Sequence, residues 1–209
     1  MVVLYIVVGL IAYLLGSISF SVIFSKKFAG FDVRDKGSKN AGTTNVLRTV
    51  GKKAAAITLI CDILKGVVAI LVALIANKLV EGSNGELLVQ IAGVFVILGH
   101  TFPIFFWFRG GKGIATALGV LLITNYQIGL ICLVFALVIM LITRIVSIGS
   151  ILAAILFPIL TIFINENYIV GNNYIIFGIL IALLVIFNHR ANLKRILSGT
   201  ENKLSFKKK

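Results

Sequence analysis

Long apolar runs joined by short polar loops constrain the fold of this 209-residue chain more than any other feature. The runs lie at about 2–24, 54–78, 87–107, 114–142, 145–165 and 174–188. A helix needs about 20 apolar residues to cross the hydrocarbon core of a bilayer, and 59% of the chain is hydrophobic. We therefore predict an all-α, polytopic integral membrane protein. No polar segment is long enough to bury a core of its own, so residues 1–209 are expected to form a single domain.

The basic residues lie at the ends of these runs. Loop 25–53 and the tail 189–209 are rich in Lys and Arg, whereas two other loops carry only acidic charges: Glu81 and Glu86 in 79–86, and Glu166 in 166–173. Loops rich in Lys and Arg stay in the cytoplasm. We therefore expect the amino end outside and the carboxyl end in the cytoplasm.

The run 114–142 is too long for one simple crossing. As a single helix it would measure about 43 Å, against a hydrocarbon core of about 30 Å. Asn125-Tyr126-Gln127 interrupts the run near its middle. A hairpin that turns at 125–127 places Arg144 and the basic tail in the cytoplasm, whereas a single crossing places them outside. We predict about seven transmembrane helices, some short or tilted, with five helices plus a re-entrant hairpin as the alternative.

The first of four polar patches on the predicted cytoplasmic side is the segment GSKNAGTTNVLR at 37–48. Hydroxyl, amide and cationic groups are clustered there among glycines. Such a loop offers many hydrogen-bond donors and no strong base, which suits phosphate oxygens. The candidate binding residues are Ser38, Asn40, Thr43, Thr44, Asn45 and Arg48.

The second patch, RGGKG at 109–113, precedes a helix expected to begin near Ile114. Its glycines allow the backbone to approach an anion, the helix start offers unpaired N–H groups, and Lys112 adds a positive charge. The segment lacks the spacing of a Walker A loop, which requires Ser or Thr after the lysine. We predict an anion site that uses Lys112 and the backbone of Gly110, Gly111 and Gly113.

The third and fourth patches are TRIVSIGS at 143–150 and NHRANLKR at 188–195. Ser147 and Ser150 would share one helix face, as would His189 and Asn192 on a continuing helix. His189 is a candidate base or anion donor. These four residues join the candidate site.

The polar residues inside the apolar runs favour structural roles. Asp62 and Lys65 are spaced for an internal ion pair, since charges within a membrane are usually paired. His100 also reads as structural. Cys61 and Cys132 lack the spacing of a metal site or disulfide, so we expect no metal and no cofactor.

Common acyltransferase and hydrolase signatures are missing from the sequence. No HxxxxD dyad, Asp-rich magnesium motif or G-x-S-x-G elbow is present. The candidate site is cationic and poor in carboxylates. It suits a substrate that carries its own negative charge and its own leaving group.

Together the patches resemble the bacterial acyl-phosphate:glycerol-3-phosphate acyltransferase family. The matching segments occur in family order at 15–20, 37–48, 99–116, 144–150 and 188–201. Two positions depart from the family pattern, because Lys39 stands where glycine is usual and Thr43 where alanine is common. Both are small changes in a surface loop.

The resemblance implies acyl transfer from acyl phosphate to the 1-hydroxyl of sn-glycerol 3-phosphate, which gives lysophosphatidic acid and inorganic phosphate. It implies catalytic roles for Lys112, Ser150, His189 and Asn192, and substrate binding by the loop residues above together with Ser147. Either His189 or a substrate phosphate would accept the proton. Glu201 resembles a family glutamate and is expected to anchor the tail through basic neighbours. The bilayer would deliver the acyl donor, and a monomer is expected.

Two other functions are considered. A transporter of a phosphorylated metabolite would suit a broken span with cationic helix ends, but its polar site should lie near the midplane, whereas these patches crowd one face. A nucleic-acid binder would use the net charge of +13, but the chain lacks a basic domain or an aromatic stacking platform.

Overall fold

The computed structural model describes residues 1–164 and 174–204, and all regular structure in these two ranges is helical. The helices are α1 (Val2–Gly16), α2 (Phe20–Ala29), α3 (Thr43–Thr49), α4 (Lys52–Leu79), α5 (Gly85–Thr101), α6 (Ile114–Thr124), α7 (Tyr126–Thr143), α8 (Val146–Phe163), α9 (Tyr174–Asn188) and α10 (Arg190–Leu197). Short 3-10 helices cover Val33–Asp35 and Ile104–Phe106. Glu166, the whole of its predicted loop 166–173 and the end of the basic tail lie outside the described residues.

Five segments of the described chain are long and apolar enough to cross a membrane, and α9 with α10 makes a sixth if the pair counts as one bent span. The five are Val2–Ala29, Lys52–Leu79, Gly85–Phe106, Tyr126–Thr143 and Val146–Phe163. Helix α6 is apolar, but its 11 residues would extend only about 16 Å at 1.5 Å per residue. The predicted all-α, multi-pass membrane fold is confirmed, and the count of seven helices stays a prediction.

The chain divides into two compact units, Met1–Thr124 and Asn125–Lys209. The predicted interruption of the run 114–142 is confirmed. The break between the two helices is a single residue, Asn125, because Tyr126 and Gln127 already belong to α7. The side chain of Asn125 caps α7 by accepting a hydrogen bond from the Ile128 amide at 3.0 Å. The prediction of a single domain over 1–209 remains a prediction.

Glycines bring the helices of the first unit close together. A β-carbon on Gly99 of α5 would lie 2.9 Å from the Ser17 amide nitrogen, and one on Gly66 of α4 would lie 3.1 Å from the Val120 amide nitrogen of α6. Small residues allow membrane helices to pack backbone against backbone, where dispersion replaces the hydrophobic effect. In this unit α1 packs on α5, and α4 packs on both α5 and α6.

The first apolar run, 2–24, does not form one uninterrupted helix. Helix α1 ends at Gly16, and α2 begins at Phe20 after a three-residue break. A break inside a bilayer leaves carbonyl oxygens without water to bond. Lys65 of α4 satisfies two of them, donating from Nζ to the Gly16 oxygen at 3.0 Å and to the Ile18 oxygen at 2.9 Å.

In the second unit α8 packs between α7 and α9. Phe157 of α8 makes edge-on ring contacts with Tyr174 and Phe177 of α9. The predicted continuous helix through 189–192 was wrong, because α9 and α10 meet at an angle of 61°. His189 stands at the bend, as the residue that precedes α10.

Candidate active site

The polar segment between α2 and α4 folds over a small apolar core of its own. Val33, Ala41 and Val46 of this segment are at most 1% exposed and pack with residues of the flanking helices: Val22, Ala54 and Ala55. The segment predicted as the loop 25–53 therefore contains the end of α2, a 3-10 turn and α3. Its apolar residues fix the backbone that carries the polar ones.

Asn45 organises this segment from within. Its amide nitrogen donates to the carbonyls of Val33, Lys36 and Asn40 at 2.9 to 3.0 Å, and its side-chain oxygen accepts from the Ser38 amide at 2.9 Å. The residue is 2% exposed. The sequence predicted Asn45 as a substrate ligand, and these four hydrogen bonds instead use its amide to shape the loop.

The other predicted residues of this segment are more accessible. Ser38 and Arg48 are exposed, whereas Asn40, Thr43 and Thr44 are half-buried. The Thr43 hydroxyl oxygen is buried and has no hydrogen-bond partner within the described chain. A buried hydroxyl without a partner is costly, and a bound phosphate oxygen would satisfy it.

Two backbone hydrogen bonds hold the glycine loop 109–113 against the end of α5. The Gly110 amide donates to the Thr101 carbonyl and the Gly111 amide donates to the His100 carbonyl, both at 3.1 Å. Gly113 has φ +83° directly before α6, a conformation that favours glycine. The half-buried Lys112 lies between Gly111 and Gly113, so the loop precedes a helix start as expected. The Gly110 and Gly111 amides were predicted to bind an anion, but both are used in hydrogen bonds to α5. The anion site itself stays a prediction.

Gly111 is the point where the two predicted phosphate loops meet. A β-carbon there would lie 2.7 Å from the Ala41 carbonyl oxygen of the segment 37–48, and it would overlap the His100 imidazole. Only glycine allows this approach. The structure thus brings the first and second patches together within the first unit.

Arg34 links the polar segment between α2 and α4 to the chain that leads into the glycine loop, a role that was not predicted from the sequence. Its Nη1 donates to the carbonyls of Phe106 at 2.7 Å and Arg109 at 3.2 Å, while Nε and Nη2 bind the Asp32 carboxylate at 3.0 and 2.8 Å. Hydrogen bonding from Arg34 lowers the pKa of Asp32 and outweighs the opposite effect of burial. In the sequence, Arg34 looks like any other cytoplasmic cation. The acidic residue two positions earlier, Asp32, was the one sign that Arg34 is held in an ion pair.

In the second unit Glu201 gathers the predicted site residues. Oε1 accepts from Asn192 at 2.6 Å and from Ser147 at 3.0 Å, and Oε2 accepts from Arg195 at 2.7 Å. Burial on its own would raise the pKa of Glu201, but the hydrogen bonds from Asn192, Arg195 and Ser147 outweigh it and lower the pKa. Anchoring of the tail through a basic neighbour is confirmed for Arg195, and the contacts to Asn192 and Ser147 are new.

His189 and Ser150 each make a side-chain hydrogen bond to the backbone carbonyl four residues earlier. Nδ1 of His189 lies 2.8 Å from the Val185 carbonyl oxygen. A carbonyl only accepts, so Nδ1 carries the hydrogen, and the lone pair of the neutral ring is on Nε2. The Ser150 hydroxyl donates to the Val146 carbonyl at 3.0 Å, which leaves its oxygen as an acceptor.

Metal-binding clusters are missing from the described part of the chain: no three His, Cys, Asp or Glu side chains lie close enough to hold an ion. Cys61 and Cys132 are free thiols, not a disulfide. The chemistry of the described site residues is that of neutral donors, cations and one imidazole.

Known proteins resemble this chain over nearly its whole length. The family model for glycerol-3-phosphate acyltransferase matches residues 6–199. A glycerol-3-phosphate acyltransferase of Clostridioides difficile (strain 630) is 45% identical over 98% of this chain and 97% of its own. One from Shouchella clausii (strain KSM-K16) is 42% identical over 99% of both chains.

Solved structures agree with the sequence relatives. Crystal structures of PlsY (YgiH), an integral membrane glycerol 3-phosphate acyltransferase, superimpose with TM-scores of 0.85 for the glycerol 3-phosphate form and 0.83 for the lysophosphatidic acid form. They are 36% and 35% identical to this chain and cover 96% of it, with 96% and 95% of their own chains matched. The chain therefore belongs to the glycerol-3-phosphate acyltransferase family.

Proposed function

We propose that this membrane enzyme transfers an acyl group from acyl phosphate to the 1-hydroxyl of sn-glycerol 3-phosphate. The products are 1-acyl-sn-glycerol 3-phosphate and inorganic phosphate, and the reaction is the first acylation of phospholipid synthesis. The observation that carries the proposal is the match over 96% of the chain to an acyltransferase solved in glycerol 3-phosphate and lysophosphatidic acid forms. The meeting of two donor-rich loops at Gly111 supports it independently.

The reaction needs positioning more than an enzyme nucleophile. The hydroxyl oxygen forms a bond to the acyl carbonyl carbon, the bond from that carbon to the phosphate oxygen breaks, and the hydroxyl proton passes to a base. Phosphate leaves with the bonding electrons. Because phosphate is already a good leaving group, hydrogen-bond donors that hold the substrates and the developing oxyanion supply the catalysis.

The first unit provides the phosphate contacts in this proposal. Lys112 and the start of α6 bind one anion, since the Gly110 and Gly111 amides already donate to α5. Side chains from the segment 37–48 are further donors: Ser38, Asn40, Thr43, Thr44 and Arg48. Asn45 contributes by holding that segment. The orphan hydroxyl of Thr43 supports a ligand there.

The second unit provides the candidate proton acceptor, Nε2 of His189, with a substrate phosphate oxygen as the alternative. Ser147 and Asn192, both fixed by Glu201, and Ser150 supply polar contacts to substrate. The proposed enzyme works as a monomer, without metal or cofactor, and takes its acyl donor from the bilayer.

We further propose the bacterial plasma membrane as the location, with the site at the cytoplasmic face and about seven helices. The charge distribution supports this orientation. Loop 25–53 and the tail are basic, whereas Glu81 lies in the described loop between α4 and α5 and Glu86 in the first turn of α5.

The test is phosphate release by purified protein in detergent, with palmitoyl phosphate supplied in the presence and absence of glycerol 3-phosphate. We expect release that depends on glycerol 3-phosphate and yields lysophosphatidic acid. Lys112→Ala should abolish it, whereas Lys78→Ala, at an exposed lysine near the end of α4, should not. A folded wild-type protein that releases no phosphate would refute the proposal.

His189→Gln separates the two proton acceptors. If Nε2 of His189 is the base, the variant should lose at least about a hundredfold in kcat. Full activity in the variant would assign the proton to the substrate phosphate.

A further inference from the structure

Three ionisable side chains lie buried among α4 and α5, and the proposed reaction uses none of them. Asp62 is 1% exposed, Lys65 is 4% exposed and His100 is 7% exposed. Charged groups within a membrane protein are costly and usually paired, and they often serve function. Their contacts run from the break in the first span to the glycine loop.

Lys65 is fixed on one side of this cluster. Three oxygens lie within 3.0 Å of its Nζ: Oδ1 of Asp62 at 2.9 Å, and the carbonyls of Gly16 and Ile18. The ion pair with Asp62 and the two hydrogen bonds to carbonyl oxygens hold Nζ in place. The position of the Asp62 carboxylate is set by this anchored lysine.

His100 occupies the other side. Its Nδ1 lies 3.5 Å from Oδ1 of Asp62, and its Nε2 edge lies against the α-carbon of Gly111, where no β-carbon would fit. Two backbone hydrogen bonds reinforce this contact. The Gly111 amide donates to the His100 carbonyl, and the Gly110 amide donates to the Thr101 carbonyl. The imidazole therefore packs against the two residues that tie the glycine loop to the end of α5, directly before Lys112.

We propose that Asp62, Lys65 and His100 form a positioning cluster that fixes the glycine loop for phosphate binding. Asp62, anchored by Lys65, orients the imidazole, and the imidazole holds the backbone of Gly110 and Gly111 in place. None of the three touches substrate or transfers a proton. The inference rests on the proposed function, since the value of a fixed loop lies in donors that need not reorganise when the anion binds.

Hydrogen–deuterium exchange tests the cluster without reference to activity. His100→Ala and Asp62→Asn should each raise exchange of the Gly110 and Gly111 amides at least tenfold, with exchange in the middle of α4 and α5 unchanged. Thr58→Val is the matched control, because Thr58 is fully buried on α4 one turn before Asp62 and its hydroxyl bonds only its own helix, at Ala54. Wild-type protection of the loop in the folded variants, or increased exchange throughout the unit, would overturn the proposal.

Kinetics provide a second readout that a purely structural role would leave unchanged. His100→Ala should raise KM for at least one of the two phosphorylated substrates about tenfold. His100→Gln places an amide near the position of Nε2 and should restore KM to within about threefold, whereas His100→Asn, which is too short to reach Gly111, should not. A lower yield of folded protein with wild-type KM would show that the cluster only stabilises the fold.

The two tests also separate this inference from the proposed function. If wild-type protein releases no phosphate, the proposed reaction fails, while loop exchange still decides whether the cluster positions the loop. If His100→Ala does not fold, Asp62→Asn and His100→Asn carry the same comparison, and unchanged loop exchange in both would refute the cluster.

Discussion

The side-chain amide of Asn192 donates to Oε1 of Glu201 over 2.6 Å. The Ser147 hydroxyl shares that oxygen at 3.0 Å, and Arg195 holds the other carboxylate oxygen. One carboxylate thus sets the orientation of two predicted substrate contacts from different helices. Glu201 acts through these residues and is therefore a positioning residue.

Glu201→Gln should lower activity about tenfold or more. A glutamine offers one acceptor oxygen and one N–H₂ group, so it cannot accept from Asn192, Ser147 and Arg195 together. A misplacement of about 1 Å in a substrate-positioning group can cost up to about a hundredfold. The measurement is phosphate release by folded protein, with Lys203→Gln as a control at an exposed residue two positions away. Equal activities in the two variants would contradict the role given to Glu201.

The depressed pKa of Glu201 predicts an acid-sensitive contribution to stability. A carboxyl whose pKa is lower in the folded protein than its ordinary 4.5 stabilises the fold fully above pH 4.5. This contribution disappears as the pH falls through the folded-state value. We expect the stability difference between wild type and Glu201→Gln to be constant above about pH 5 and to shrink below pH 4.5. A thermal-unfolding series in detergent from pH 3 to 7 measures it, and a constant difference over the whole range would argue against the shift.

Asn45→Asp should disrupt the segment 37–48. The substitution places a carboxylate oxygen where the amide nitrogen now donates to three carbonyls. Loss of buried hydrogen bonds of this kind costs about 1–3 kcal/mol, and activity should fall with the loop. The matched control is Asn84→Asp at the N-cap of α5, where the side-chain oxygen only accepts, from the Leu87 amide.

Thermal unfolding, followed through exposure of the buried Cys132 thiol, compares the two asparagine variants. Equal unfolding temperatures would contradict the role of Asn45 as the organiser of the segment.

Lys39→Gly should stabilise the protein. Lys39 has φ +56°, in the left-handed region that costs a residue with a side chain about 1 kcal/mol or more. This strain explains why the family resemblance places glycine here. At Lys36, where φ is −129°, the same change should instead destabilise by about 0.5–1 kcal/mol, because glycine adds backbone entropy to the unfolded chain. If Lys39→Gly lowers the unfolding temperature as much as Lys36→Gly does, strain at Lys39 is excluded.

Apolar length and charge predict most of the fold. The bounds of α4, α8 and α9 agree with the predicted runs to within a few residues, because hydrophobicity must match the bilayer wherever a helix crosses it. The break after Gly16 could not be predicted in the same way. It is stabilised by Lys65, 47 and 49 residues away from the carbonyls that it binds, and no local pattern records such a partner.

The sequence predicted which segments form the candidate site. It did not predict which residues of a segment face the substrate and which hold the backbone. Donor type and glycine spacing identified the segment 37–48 and the loop 109–113. They could not separate Asn45, which faces inward, from Thr43, whose hydroxyl lacks a partner, because both are small polar residues. Arg34 was missed for a related reason. In a sequence, an arginine that only follows the positive-inside rule cannot be told from one that binds backbone carbonyls of a distant loop.

The broken first span also has a consequence for the order in which the protein is made. When α1 and α2 leave the ribosome, the carbonyls of Gly16 and Ile18 have no partner, since Lys65 is synthesised dozens of residues later. A bilayer supplies no water at that depth. The broken first span therefore reaches its final hydrogen-bonded form only after α4 has entered the membrane beside it, which makes insertion of these two spans a cooperative event during biogenesis.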